Sequence, residues 1–499
     1  MQSSLDNAIA DALAAQDVPG ATALLEQLLR QTPGDVEARL VLATLYREAG
    51  RLRDAVLACD AVIEAYPNHA DAWLQKAFTL SAGASFDNAR TCYARAAELD
   101  PRQAEAWAGL SAITVVRGEH EEGRAQAERA LALDPGNLVA AAAIGQSAVE
   151  QRQAEHARAR LERALAGNRE EGPPRVTALS VLGDMLEQLG DYDGAFAAYS
   201  ASKRLFRTLF ERRFRDKTPA QIALIEQIDR SLRDEDVTDW ALPADAQPSF
   251  DRHVFLTGYP RSGTTLVENI LASADGIVAL EERPTLMHAD ERFLLPEDGL
   301  AVLRALDQSG ARPYRDAYWS MVMQSVSAPG GSMFVDMDPL KGMRLPIIAR
   351  LFPEARVLLM RRDPREIVWS CYHTNFAMTA ATYDYSDLTS TARHYDALMR
   401  LTEQCVERLP LNTHVVRYES LVTDFDRATQ ALCGFLGMDW TADLKRFDRT
   451  AQRRGVATAS ATQVRQGLYD GRRQWEPYAR YLEPVMPILA PWIERFGYA

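Results

Sequence analysis

The stretch HVFLTGYPRSGTTLVENIL, from His253 to Leu271, holds the residues best placed by type and spacing to do chemistry. Its centre, GYPRSGTT, has the skeleton of a phosphate-binding loop. Gly258 and Gly263 bracket a turn whose backbone N–H groups can point inward, and a following helix adds its own free N–H groups and the positive end of its dipole. Thr264 and Thr265 offer hydroxyl donors, and the cation is Arg261. A nucleotide-hydrolysing loop carries lysine after its last glycine. Here Thr264 takes that place, and the nearest strand-end acid, Asp363, stands among Arg361, Arg362 and Arg365. Without the lysine and a magnesium ligand, γ-phosphate transfer from ATP is disfavoured. A metal-free site for a singly charged group fits better.

Strands and helices must position this loop. HVFLTG is a short β-rich run and TTLVENILAS has helical spacing, which gives strand, glycine-bounded loop, helix. ARVLLMRRD repeats the pattern with a basic end, and DPREIVWSCYH opens a helix with Pro364 in its first turn. THVVRYESL reads as a third strand. Strands alternating with helices predict a central parallel sheet with ligands at the carboxyl ends of its strands.

The first 205 residues follow a different grammar. Pro33, Pro67, Pro101 and Pro135 lie 34 residues apart, as do Trp73 and Trp107, and Ala55 and Ala89. This period, with Trp early, Ala in the middle and Pro at the end, resembles the tetratricopeptide repeat, a helix pair that stacks into a solenoid. Gly123 stands where a second-helix alanine is expected. The expected organisation is an all-α repeat solenoid over 1–205, a helical linker over 206–250 with Pro219 near a helix start, and an α/β domain over 251–499. The solenoid is expected to bind a protein or peptide, or to serve as a structural or oligomerising arm.

Composition bounds the rest. A formal net charge of −13 argues against a general nucleic-acid or anionic-membrane binder. Cys59, Cys92, Cys371, Cys405 and Cys433 are scattered without a CxxC, which suits a reducing cytoplasm and excludes a cysteine-based zinc site. His288, His373 and His394 have no metal-ligand spacing. The N-terminus reads as neither signal peptide nor membrane span, so a cytoplasmic protein is expected. The basic residues are overwhelmingly arginine, which points to a high-GC bacterial genome.

GYPRSGTTLVENIL and RRDPREIVWS together resemble the two cofactor motifs of sulfotransferases that use 3′-phosphoadenosine 5′-phosphosulfate (PAPS). With the repeats, the chain resembles bacterial tetratricopeptide-repeat sulfotransferases, relatives of the tyrosylprotein sulfotransferases. YSDLTSTARHYDALM, VVRYESLVTDFD and TASATQVRQGLYDGRRQW extend the likeness. It implies a P-loop-like sulfotransferase fold, PAPS as co-substrate and no metal. It implies that Arg261, Ser262, Gly263, Thr264 and Thr265 hold the phosphosulfate end. Arg362 and Ser370 would hold the 3′-phosphate, with Arg361 and Arg365 either helping or pairing with acids. Tyr418 would pack beside the nucleotide, and Ser460 and Arg465 would lie in a segment that closes over it. Glu282, 21 residues beyond Arg261, matches the family's general base, with Glu281 the alternative.

One departure stands out. The family lysine two residues before the proline of its DKxP-like motif is Met337 in FVDMDPLKG. Lys341 is the expected substitute, if a turn of helix after Pro339 brings it in. The implied activity is sulfuryl transfer to a hydroxyl, with tyrosine in a polypeptide the favoured acceptor and a saccharide or small metabolite open. The alternatives are an inactive PAPS-binding adaptor, which Met337 favours, and a P-loop kinase on a repeat scaffold.

Overall fold

The computed structural model describes residues 2–15, 17–213, 221–243, 250–326, 331–377, 379–454 and 467–499. They form two compact units, Met1–Leu205 and Phe206–Ala499. Among the described residues no helix is long and apolar enough to cross a membrane.

The first unit is built from helix pairs. Val36–Glu48 with Leu52–Ala65, Ala70–Ala82 with Phe86–Leu99, and Ala104–Val116 with His120–Leu133 follow the 34-residue period. Leu138–Glu150 with Ala154–Gly167 and Pro173–Gln188 with Tyr192–Arg213 continue it, and Gln2–Ala14 with Val18–Gln31 precede it. The periodic residues explain the repeat. The Pro33 carbonyl accepts from the Arg39 guanidinium at 2.5 Å, the Pro67 carbonyl from the Trp73 indole at 2.9 Å, and the Pro101 carbonyl from the Trp107 indole at 3.2 Å. Each contact ties the inter-repeat turn to the next helix and satisfies a carbonyl near a helix end. Ala21, Ala55, Ala77, Ala89 and Ala96 are completely buried, where only a methyl group fits between helices. Gly123 replaces alanine because a Cβ there would lie 2.6 Å from Val115 Cγ2.

In the second unit, five parallel strands form one sheet: β1 (His253–Thr257), β2 (Ile277–Glu281), β3 (Met333–Met337), β4 (Arg356–Arg361) and β5 (Asn412–Arg417). Their order is β2-β3-β1-β4-β5. β1 and β3 are buried along their whole length, as central strands covered on both faces must be. Val254, Leu256, Val335 and Met337 share a core with Leu266, Val267, Ile270 and Leu271 of the helix Thr264–Leu271. Strand alternation sends His253, Phe255, Phe334 and Asp336 to the opposite face. There Tyr318, Trp319 and Phe352 surround His253.

Two readings of the sequence change. The strand expected over THVVRYESL stops at Arg417, the last residue to pair with β4, and Tyr418–Thr423 turns into a short helix. The stretch 206–250 groups with the second unit rather than standing apart as a bridge. Its helix Gln221–Asp234 packs on the helix Leu388–Arg408, and its Trp240 indole donates to the Pro346 carbonyl at 2.9 Å. Pro219 lies outside the described residues.

A Cβ at Gly183 would meet the Tyr199 ring at 2.4 Å. Gly183→Ala is therefore expected to destabilise the first unit by about 1–3 kcal/mol through overpacking. Calorimetry of the full chain should show an earlier transition for the repeat unit only.

Candidate functional site

Every element of the site leaves the carboxyl edge of the sheet. After β1 the chain turns through Gly258–Gly263, with Arg261 at φ 70° and Gly263 at φ 103°. The turn is closed from inside. Ser262 Oγ accepts from the Tyr259 amide at 3.3 Å, and the Gly258 amide donates to the Pro339 carbonyl at 3.3 Å. A Cβ at Gly258 would lie 2.8 Å from Met360 Cβ and 2.9 Å from the Met360 carbonyl, so only glycine fits. Ser262, expected to face the ligand, is instead completely buried in the turn. Gly263 leads into the helix Thr264–Leu271, whose first two threonines open on a cavity of about 260 Å³.

Arg261 and Arg362 meet at one corner of this edge. Arg261 Nε donates to Ser370 Oγ at 2.9 Å, and an Arg362 Nη donates to the Arg261 carbonyl at 2.8 Å. The Arg362 plane lies 4.4 Å from the Tyr418 ring centroid and also reaches Glu366 at 3.3 Å and the Gly471 carbonyl. The Tyr418 hydroxyl donates to the Tyr469 carbonyl at 2.6 Å and accepts from the Gly471 amide at 3.1 Å, which pins that turn beside the arginines. Burial, reinforced by the charge of Arg362, holds the Arg261 guanidinium down at about 10. Arg362 Nε is buried with no hydrogen-bond partner among the described residues. Two neighbouring guanidinium groups, one with an unbonded Nε, are chemistry suited to an anion.

The spacing of Arg362 and Ser370 therefore does bring their segments together, but Ser370 is engaged by Arg261. Arg361 and Arg365 turn elsewhere. Arg361 pairs with Glu403, and Arg365 with Asp363 at 2.7 Å. Asp363 accepts from the Arg365 amide at 2.9 Å and so caps the helix Pro364–His373.

Glu282 lines the cavity that the loop after β1 also lines. The same cavity is lined by Arg261, Gly263, Thr264, Thr265, Glu282 and Asp338. Glu282 follows β2 with φ 46°, and its amide donates to the Met337 carbonyl at 2.8 Å. Glu282 is an exposed residue whose side chain opens on the cavity. Partial desolvation by the nearby cavity walls, with Asp338, Glu281 and Glu268 close by, raises its carboxyl to about 7, and Lys341 opposes the shift. Glu281, the alternative base, is not among the cavity-lining residues.

Lys341 and Met337 occupy opposite faces of the sheet. Met337 is buried in the apolar core. Lys341, only 1% exposed, pairs with fully buried Asp336 at 2.6 Å and is not among the residues lining the cavity. The turn after Pro339 brings Lys341 inward as expected, but onto an acid below the site. Sequence reading missed Asp338 and an outer wall of Leu340, Phe376, Thr382 and Tyr385. The DP pair could have pointed to Asp338; nothing in the pattern marked the wall. Ser460 and Arg465 lie outside the described residues.

Comparison with known proteins gives a family for each part of the chain. Residues 253–442 match the sulfotransferase family, and residues 12–73, 79–137 and 142–208 match tetratricopeptide repeats. The chain carries a sulfotransferase-family domain after a tetratricopeptide-repeat array. It is 26% identical to an uncharacterized protein of Aquifex aeolicus over 334 residues, 63% of this chain and 41% of that one. It is 30% identical to nodulation protein NoeE of Sinorhizobium fredii over 212 residues, 37% of this chain and 50% of that one. It is 24% identical to protein-tyrosine sulfotransferase 2 of Gallus gallus over 267 residues, 49% of this chain and 69% of that one. The chain thus spans half or less of the length of the first two relatives.

Lys341→Met would leave Asp336 charged, buried and without its ion pair. A loss of about 3–5 kcal/mol is expected in the unfolding of the second unit, measured by urea titration. The double variant with Asp336→Asn should recover much of it.

Proposed function

We propose that the second unit transfers a sulfuryl group from PAPS to an acceptor hydroxyl. The observation that carries this reading is one cavity lined by Arg261, the loop threonines and the Glu282 carboxyl raised to about 7, with Arg362 bonded to the Arg261 carbonyl behind it. The residues present fit PAPS. The orphaned Arg362 Nε and the glycine turn at 258–263 suit two separated anionic groups on one nucleotide. Arg261, the loop amides, Thr264 and Thr265 would hold the phosphosulfate end, with Arg362 and Ser370 at the 3′-phosphate and Tyr418 supporting Arg362. PAPS supplies a sulfuryl group on a phosphate leaving group.

The residues of the chain do the rest. Glu282 accepts the proton of the acceptor hydroxyl, which its raised pKa suits near neutral pH. Arg261 and the loop N–H groups face the charge that develops on the transferring group, commonly the largest contribution to such a reaction. The apolar outer wall limits water around the acceptor. Met337 offers no cation, so the positive charge at this step comes from Arg261. No metal is assigned a role.

The acceptor is read as a hydroxyl on a protein or peptide, with tyrosine favoured. The repeats, a fold that offers a peptide-binding surface, and the tyrosine sulfotransferases among the relatives support this reading. A cytoplasmic, bacterial protein is the setting we infer. The adaptor reading retains one favourable observation, the absence of a cation at Met337. Turnover decides between the two.

Glu282→Gln is expected to lower kcat by about 10²–10⁴-fold while donor affinity stays nearly constant. The base works as carboxylate, so kcat should rise with pH through about 7 and then level in the parent protein. Transfer from labelled PAPS to a lysate or phenolic acceptor measures both. Full activity in the Gln variant would remove Glu282 from the mechanism. Arg362→Ala should weaken adenosine 3′,5′-bisphosphate about 10–100-fold in calorimetric titration, the loss of hydrogen bonds to a charged group.

A further inference from the structure

The turn that carries Glu282 is tied to a buried network on the aromatic face of the sheet. Thr285, 2% exposed, lies three residues after Glu282. Its hydroxyl donates to one oxygen of Asp336 at 2.8 Å. The same oxygen accepts from the Tyr318 hydroxyl at 3.0 Å, and the other oxygen accepts from the Lys341 ammonium at 2.6 Å. Asp336 thus has a partner from the Glu282 turn, from a core helix and from the turn after β3. A buried carboxylate in an otherwise apolar strand is costly unless such partners are met in full.

We propose that Thr285, Asp336 and Lys341 are positioning residues that fix the Glu282 turn at the cavity. This rests on the reading of Glu282 as the base. Glu282 has a positive φ, a conformation that a glutamate leaves when it is not held. On one side its amide is anchored to the Met337 carbonyl, as described. On the other side the Thr285 hydroxyl is the side-chain anchor, and the Thr285 amide donates to the Arg283 carbonyl at 2.8 Å. Lys341 makes the anchor possible by neutralising Asp336. The lysine that sequence reading expected inside the site acts one layer below it, through an acid and a hydroxyl.

Glu282 faces Asp338 from the turn after β3, Glu281 from β2, Glu268 from the helix after the loop, and Lys341 from below. A released turn moves its carboxyl away from these acids, whose charges raise its pKa. The test compares Thr285→Val, Thr285→Ser and Tyr318→Phe in the full chain. Carboxyl-labelled glutamate is followed by NMR titration, with Glu282 assigned by Glu282→Gln. Thr285→Val should lower the Glu282 midpoint by about one unit, toward the ordinary value of about 4.3. It should also lower kcat about 10–100-fold with little change in KM for PAPS, as a misplaced base does. Thr285→Ser should restore both. Tyr318→Phe removes another donor from the same carboxylate without touching the turn, and should leave the midpoint in place. A Thr285→Val protein with an unmoved midpoint overturns the inference, as does an equal shift in Tyr318→Phe. If Glu282→Gln transfers sulfuryl groups normally, the functional reading fails, while the midpoint comparison still decides whether Thr285 holds the turn.

Discussion

Arg261 and Arg362 are brought against one another by backbone, and the rest of the site is arranged around that like-charge contact. An Arg362 Nη donates to the carbonyl of Arg261 itself, so neither residue can retreat without breaking the loop. Among the described residues, only one carboxylate, Glu366, reaches Arg362, at 3.3 Å. The other supports are neutral: Ser370 Oγ, the Gly471 carbonyl and the Tyr418 ring. Neutral supports orient a cation without cancelling it. The corner thus sets two guanidinium groups side by side, in a chain whose formal charge is −13. Closer ion pairs are made by Arg361 with Glu403 and by Arg365 with Asp363, beside the same corner.

The sheet imposes the second constraint. Because both of its faces are covered, polar groups within the central strands need partners inside the protein. Alternation then decides which core each residue joins. Met337 and Asp336 are neighbours in sequence but belong to opposite cores, one packed under the helix after the loop and one facing the aromatic layer. Lys341 follows Asp336 to the aromatic side. This is why a lysine four residues after Met337 cannot take a place at Met337. The distance along the chain was sufficient, but the face was the wrong one.

Much of this was legible in the sequence. The 34-residue period gave the helix pairs, and the reason is now visible in Pro33, Pro67 and Pro101, whose carbonyls receive the side chain six residues later in each repeat. The glycine spacing and the RRDPR corner marked the two segments that the structure joins through the Arg362 bond to the Arg261 carbonyl, because backbone geometry there demands particular residues. Other features had no local signature. Ser262 turns inward to close the loop, Ser370 bonds to Arg261, and Lys341 pairs with Asp336. Each is a choice of side-chain direction made by tertiary neighbours. The wall residues Phe376 and Tyr385 were silent for the same reason, since an apolar residue facing a cavity reads like any core residue. The end of β5 was misread because strand pairing stops with its neighbour, not with its own β-propensity.

The charges of the site also follow a direction that the fold enforces. Glu268, Glu281, Glu282 and Asp338 gather on the β2–β3 side, while Arg261 and Arg362 gather on the β1–β4 side. Repulsion among the acids favours a proton on Glu282, and repulsion between the arginines favours an anion near them. The two preferences are complementary. A neutral hydroxyl that gives its proton to the acidic side leaves an oxygen drawn toward the basic side. Thr264 and Thr265, the first residues of the intervening helix, open on the cavity between them with the positive end of the helix dipole. The polarity of the cavity thus comes from strand order: β2 and β3 lie on one side of β1, and β4 lies on the other. Moving either charge cluster to another strand would leave the residues intact and remove the gradient between them.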